Sequence, residues 1–145
     1  MDLYLKRATA DDEPYFRDLN RACYEAVIAL QFGHWDEELQ NQSFEAKWPT
    51  NNFRKVLFDR QLIGGIWIDE NVDFIQLREI QIHPTFQGRG IGTQLIMQEL
   101  DYARQQHKPI RLRVLFRNPA KHLYERLGFS LIDRNEHQFI MEYQG

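Results

Sequence analysis

Cysteine occurs once in the 145 residues, at position 23, so no internal disulfide can form and a reducing compartment, the cytoplasm, is the expected location. No apolar run exceeds a few residues, whereas a membrane-spanning helix needs about 20. The basic-then-apolar order of a secretory signal is missing from the first residues, so none is expected. No repeat, linker or low-complexity tract divides the chain, and a single domain over residues 1–145 is expected, long enough to bury its own core. A basic stripe laced with aromatics is also missing, which argues against nucleic acid as a partner. His34, His83, His107, His122 and His137 are scattered without metal-ligand spacing, and no metal is expected.

The net charge of −3 is unevenly spread. Residues 1–75 carry 8 basic and 14 acidic side chains, and residues 76–145 carry 10 and 7. A basic second half suits a polyanionic ligand, and an acidic first half suits a cationic amine facing it.

The chain is organised around Leu77 to Ala103. Leu77, Ile80 and Ile82 stand among charged and amide residues, as in a strand with two unequal faces. Pro84 holds His83 extended and ends the pairing. Gly88, Gly90 and Gly92 follow at alternate positions, and then Ile91, Leu95, Ile96, Leu100 and Ala103 form the apolar stripe of a helix. Pro109 stops that helix near Lys108. A strand, a glycine-rich turn and a helix start make an anion site. The first N–H groups of a helix lack internal partners, the backbone dipoles leave about half a positive charge there, and glycine lets a phosphate come close. Arg89 adds a full charge.

The anion is not fixed by the glycines alone. A nucleotide P-loop needs Gly-Lys-Ser/Thr, but Gly92 is followed by Thr93 and Gln94. The dinucleotide fingerprint needs glycine at position 93, which is threonine. Instead, Gln87-Gly88-Arg89-Gly90-Ile91-Gly92 resembles the acetyl-coenzyme A motif of the GNAT N-acetyltransferase superfamily, Gln/Arg-x-x-Gly-x-Gly/Ala. Asn118 to Phe129 resembles that superfamily's second signature, and the resemblance covers about the last 75 residues closely and the remainder in the order of its elements.

The rest of the chain reads as the matching order of elements. Leu3 to Arg7 is a short strand. Thr9 or Asp11 caps a helix that has Pro14 in its first turn, a stripe of Phe16, Leu19, Cys23, Ala26, Val27 and Leu30, and an end near Gly33. Cys23 reads as a small core residue. From His34 to Asn52 the pattern fits a short helix plus loop, in which Trp35 and Trp48 either pack a small subdomain or line an acceptor pocket. Phe53 to Phe58 and Leu62 to Ile68 are antiparallel strands, and Gly64-Gly65 suggests a bulge or a close backbone contact. Ile110 to Phe116 should run parallel to the strand of Glu79 by a right-handed crossover. Asn118 caps a helix ended by Gly128, and Phe129 to Asp133 with Gln138 to Tyr143 closes the chain as a hairpin. The sum is an α/β domain with a mixed, mostly antiparallel sheet of six to seven strands and helices on both faces.

The resemblance implies the GNAT fold, with its central parallel strands splayed to hold the cofactor, and acetyl transfer from acetyl-coenzyme A to a primary amine of a small molecule or peptide. It implies that the backbone of Ile80, Gln81 and Ile82 pairs with the pantetheine arm. Gln87, Gly88, Arg89, Gly90, Ile91, Gly92 and Thr93 would hold the pyrophosphate. Asn118 would contact the arm, although it explains itself equally as a helix cap. Tyr124 would protonate the departing thiolate, since a phenol of pKa about 10 is protonated at neutral pH. Glu79 is the candidate base, or else an exposed glutamate paired with Arg78 or Arg111. A non-catalytic acyl-coenzyme A sensor, a hydroxyl acceptor or a larger acyl group are the alternatives. Homodimers are common in the superfamily, and no membrane partner is implied.

Overall fold

The computed structural model describes residues 3–144; the expected domain also includes Met1, Asp2 and Gly145, which lie outside them. Seven strands form one sheet in the order β1-β2-β3-β4-β5-β7-β6. They are β1 (Leu3–Arg7), β2 (Phe53–Phe58), β3 (Gln61–Glu70), β4 (Ile75–Ile82), β5 (Ile110–Leu115), β6 (Ser130–Arg134) and β7 (Gln138–Tyr143). The helices are α1 (Glu13–Phe32), α2 (Glu37–Lys47), α3 (Ile91–Gln106) and α4 (Ala120–Arg126). Every neighbouring pair is antiparallel except β4 and β5, the parallel pair that the intervening α3 makes necessary. The expected architecture is the observed one.

Two apolar clusters clothe the sheet. Ile66 belongs to the larger cluster with α3 and α4, and its neighbour Trp67 to an aromatic cluster with Phe16, Leu19 and Phe53 under α1 and α2. Adjacent strand residues face opposite ways, so these clusters lie on opposite faces. Phe16 and Leu19 are almost wholly buried, and burying side chains of this size stabilises the fold by about 1.5–3 kcal/mol each. Gly65 makes room for Phe16: a Cβ there would stand 2.2 Å from the ring. At Gly64 a Cβ would stand 2.2 Å from the Gln81 carbonyl oxygen. Both halves of the expectation for this glycine pair hold, because Val56 pairs with Gly64 and Leu57 with Leu62, leaving Ile63 as a bulge beside them.

Helix α1 departs from its expected stripe. Phe16 and Leu19 are core, but Ala26 is exposed and Leu30 is 60% exposed. The reason lies beneath it: the second half of α1 passes over a gap in the sheet, and Tyr24 and Ile28 line a cavity there. At the start, Thr9 caps a 3-10 turn over Ala10–Asp12 that leads into α1, its N–H donating to Asp12 Oδ2 at 2.8 Å, and Asp12 stands at the N-cap of α1 itself; Asp11 is exposed. Gly33, left-handed at φ 96°, ends the helix as expected.

The gap comes from one residue in β4. Trp67 pairs with Glu79 and Ile68 with Leu77, so Arg78 is an extra residue without a partner on β3. The bulge turns the strand's alternation by one place. Ile75 and Leu77 before it, and Ile80 and Ile82 after it, all join the α3 cluster. Glu79 and Gln81 are thereby swung to the α1 face. Pairing with β5 covers only Ile75–Leu77 against Ile110–Leu112, and beyond the bulge the two strands separate.

Candidate active site

The split between β4 and β5 opens toward the glycine turn. Gly88 and Gly90 are left-handed, at φ 76° and 78°, a conformation that glycine adopts without steric cost. A Cβ built on Gly88, Gly90 or Gly92 meets no atom within 4 Å, so the space above the turn is open. Among the described residues, no protein acceptor takes the N–H groups from Gly88 to Thr93; the first bond of α3 runs from Gln94 N–H to the Gly90 carbonyl at 3.0 Å. The Arg89 guanidinium lies over the Phe86 ring, 5.0 Å from its centroid, which holds its charge beside the turn. Ile91 is buried in the core, so only its backbone reaches this site.

Strand alternation sorts the backbone of β4. His83 N–H donates to the Ile63 carbonyl on the β3 side at 2.7 Å. The backbone groups of Ile82 and Ile80 therefore turn the other way, into the split. Gln81 does not: its carbonyl oxygen lies against Gly64 of β3, and its side chain is buried toward α1, donating to Asn20 Oδ1 at 3.2 Å. Gln81 thus leaves the set of residues whose backbone can pair with a ligand in the split. The Ile82 carbonyl is also engaged, accepting from Gln87 Nε2 at 2.8 Å and from the Cys23 thiol at 3.3 Å. Gln87 therefore braces the strand end with its amide instead of offering it to a ligand.

On the α1 face, Glu79 is enclosed. The Tyr24 hydroxyl donates to its Oε2 at 2.6 Å, and Gln81 Nε2 stands 3.5 Å from the same oxygen. The alternative of an exposed glutamate paired with Arg78 or Arg111 is not what the structure holds, since Arg111 bonds Glu142 at 2.7 Å. Burial pushes the Glu79 carboxyl above its ordinary range, with the Tyr24 hydrogen bond and the charges of Lys47 and Arg78 pulling partly back. Burial first, and the Glu79 charge second, push the phenols of Tyr24 and Tyr124 well up. Both phenols stay protonated at neutral pH, which leaves Glu79 as the group of the three that can ionise. The same two causes raise the Cys23 thiol to about 11, its bond to Ile82 opposing them, so it is no thiolate nucleophile.

Tyr124 faces this group from α4. Its first turn is set by Asn118, whose Oδ1 accepts from Ala120 N–H at 2.9 Å. Left-handed Gly128 ends the helix, and Phe129 packs edge-on to the Tyr124 ring, 5.8 Å away. Glu79, Tyr24, Tyr124 and Asn118 line one cavity of about 530 Å³. Trp48 lines it too and stacks on Phe44, so it both packs a small aromatic unit and walls the pocket. Trp35 lies away from the pocket, with Arg21 5.7 Å from its ring centroid. His83 is taken up locally, its Nδ1 accepting from Thr85 N–H at 3.1 Å. Among the described residues, no cluster of three His, Cys, Asp or Glu side chains could hold a metal ion, and no helix is long and apolar enough to cross a membrane.

Tyr24 and Asn20 had no part in the sequence reading of the site. They lie one helical turn apart beside Leu19 and Cys23, and polar residues flanking an apolar stripe at that spacing are the signal that could have found them.

Solved structures share this fold. PaiA N-acetyltransferase from Thermoplasma acidophilum, solved with coenzyme A, superposes with a TM-score of 0.81 at 19% identity over 100% of both chains. The apo form of YjaB from Escherichia coli gives 0.78 at 16% identity, over 100% of this chain and 99% of the other. The ribosomal-protein-S18-alanine N-acetyltransferase of Escherichia coli gives 0.70 at 17% identity, over 98% and 93%. No curated protein matches the sequence significantly. The family model described as an acetyltransferase (GNAT) domain matches residues 52–131, more than half of the chain and both strands of the split with the glycine turn between them, and the protein belongs to that family.

Proposed function

We propose that the protein transfers the acetyl group of acetyl-coenzyme A to a primary amine by direct attack, with both substrates bound together. The observation that carries this reading is the β4 bulge at Arg78: one extra residue opens the split beside the glycine turn and turns Glu79 toward the cavity. The open turn fits a diphosphate, because the N–H groups from Gly88 to Thr93 have no protein acceptor and no Cβ crowds them. Ile80 offers a backbone N–H and carbonyl to the pantetheine arm, and Ile82 its N–H. A donor at that place steadies the acyl oxygen as charge develops on it.

Glu79 takes the proton of the attacking amine, directly or through a water. A carboxyl raised by burial is the stronger base. Tyr124 donates to the departing sulfur. Its phenol is held protonated, so it offers a hydrogen bond throughout and releases its proton only as the thiolate forms. Tyr24 is a positioning residue, holding the Glu79 carboxylate on the cavity side of β4. Asn118 fixes the start of α4 and so the reach of Tyr124, and it also borders the split.

Calorimetric titration with coenzyme A and thiol release with a panel of amines test the reading. Binding together with acceptor-dependent release is expected. Binding without release for any acceptor would make the protein a sensor, and no binding at millimolar coenzyme A would end the proposal.

A further inference from the structure

The charges that meet in the cavity differ from those of the half-chain that surrounds it. The acidic residues of α1 and α2 lie outside the pocket lining, and four of the six contact arginines there: Arg17 bonds Glu13 at 2.7 Å and reaches Glu45 at 3.5 Å, and Arg21 contacts Glu25 and Glu37 at 3.1 and 3.2 Å. Inside the lining, Glu79 is the carboxyl, and it is enclosed by Tyr24 and Gln81. Three cations share that lining: Lys47 from the last turn of α2, Arg78 from the β4 bulge and Arg113 from β5.

These cations are not consumed by the fold. Among the described residues, Lys47 and Arg113 have no ion-pair partner, and Arg78 has Asp69 only at 3.9 Å. The Arg78 guanidinium lies over the Trp67 ring, 5.0 Å from its centroid, which orients it without neutralising it. The charges of Lys47 and Arg78 are felt at Glu79, which places them within range of anything bound beside it. Trp48 and Trp67 line the same cavity and give it an aromatic surface that suits an apolar segment of a ligand.

We infer that the acceptor is an amine that carries a carboxylate and an apolar or aromatic group, its amine directed to Glu79 and its carboxylate to Lys47 and Arg78, with Arg113 adding to the field. This rests on the acyl-transfer reading and specifies its substrate. It reverses the class suggested by the charge of the first half of the sequence, because a polyamine needs further anions that the lining does not supply. The same cations disfavour an ammonium and so help deliver the amine in its neutral, attacking form.

The test measures coenzyme A release with three matched acceptors, L-phenylalanine, phenethylamine and spermidine, and repeats it with Lys47→Glu and with Lys47→Gln/Arg78→Gln. Coenzyme A titration of each variant reports its folding, and Lys47→Glu alters an exposed helix end if the double variant does not fold. A kcat/KM for phenylalanine at least about tenfold above phenethylamine is expected, the size of a charge-assisted contact. That ratio should collapse toward one in the variants, through KM. Equal or better turnover of phenethylamine or spermidine, or a preference that survives both substitutions, would overturn the inference and leave acyl transfer standing. Release with no acceptor at all, while coenzyme A still binds, would remove acyl transfer and the inference with it.

Discussion

The Tyr24 hydroxyl reaches across 55 positions of sequence to donate to Glu79 Oε2 at 2.6 Å. This bond joins α1 to the strand that opens the sheet, and it stabilises the ionised form of a carboxyl whose pKa burial raises. Removing the hydroxyl must therefore raise the carboxyl's pKa further. For Tyr24→Phe, the acidic limb of the kcat/KM profile should move to higher pH by about one unit, the equivalent of one charge-assisted hydrogen bond. At the alkaline plateau most of the activity should return. A uniform loss at all pH values would mean that the phenol acts on the reacting atoms itself.

In the proposed reaction, Glu79 sets function against stability. Its folded pKa lies above the ordinary carboxyl value of 4.5, so folding favours its protonated form. The stability this adds is complete below the ordinary value and is lost as pH rises through the raised one. Glu79→Gln keeps the hydrogen-bonding shape and removes the charge. The variant should lose about a hundredfold in kcat/KM, the scale of a general base. Its Tm should meanwhile change less than the wild type's between about pH 5 and pH 8. Differential scanning calorimetry at the two pH values decides it, and an unchanged pH dependence would show that Glu79 is not the titrating group.

Gly65 tests the packing that seats α1. The Phe16 ring is fully buried and stacks on Phe53 with centroids 4.6 Å apart, so it has nowhere to retreat from an added methyl 2.2 Å away. Gly65→Ala should lower stability by about 1–3 kcal/mol, read as a fall in the urea midpoint with the slope unchanged. A midpoint equal to wild type would mean that the aromatic cluster is looser than its geometry.

Arg60 gives a substitution of opposite sign. With Asp59 it forms the two-residue turn between β2 and β3, and both residues are left-handed, Arg60 at φ 72°. Such turns favour glycine, and an L residue there costs about 1 kcal/mol. Arg60→Gly should raise stability by up to that amount, the greater freedom of glycine in the unfolded chain offsetting part of it. Urea titration beside the wild type measures it, and a lower midpoint would show that the arginine side chain contributes more than the strain.

Much of this fold is legible in the sequence because its punctuation is local. Pro84, the alternate glycines 88, 90 and 92, the Asn118 cap and Gly128 each act through the backbone of their own few residues, and each sits as expected. The bulge was present in the letters too, as the three-residue step from Leu77 to Ile80. A step of three says that the alternation breaks but not on which side the extra residue lies, which depends on pairing with Trp67. The Tyr24–Glu79 bond depends on that pairing and on where α1 crosses, so no local pattern carries it. Half-chain charge does not describe the cavity lining for a similar reason: the acidic residues of α1 and α2 lie outside it, four of them against arginines of α1, and the cavity receives lysine and arginine from α2 and β4.

Tyr124 joins these threads, because its use depends on both the local and the distant features. Asn118 and Gly128 set the short helix that carries it, and burial, together with the Glu79 charge that the β4 bulge brings near, pushes its phenol up. A phenol held protonated cannot act by ionising ahead of the reaction, so in the proposed reaction its contribution is to the transition state, in which negative charge grows on sulfur. Tyr124→Phe keeps the ring against Phe129 and removes only that donor. Turnover should fall about tenfold or more, while the coenzyme A dissociation constant from calorimetry changes little. Acetyl thioesters whose thiols have lower pKa values need less help in leaving, so they should narrow the gap between variant and wild type. A gap that stays constant across such a series would assign the hydroxyl to holding the helix instead of the leaving group.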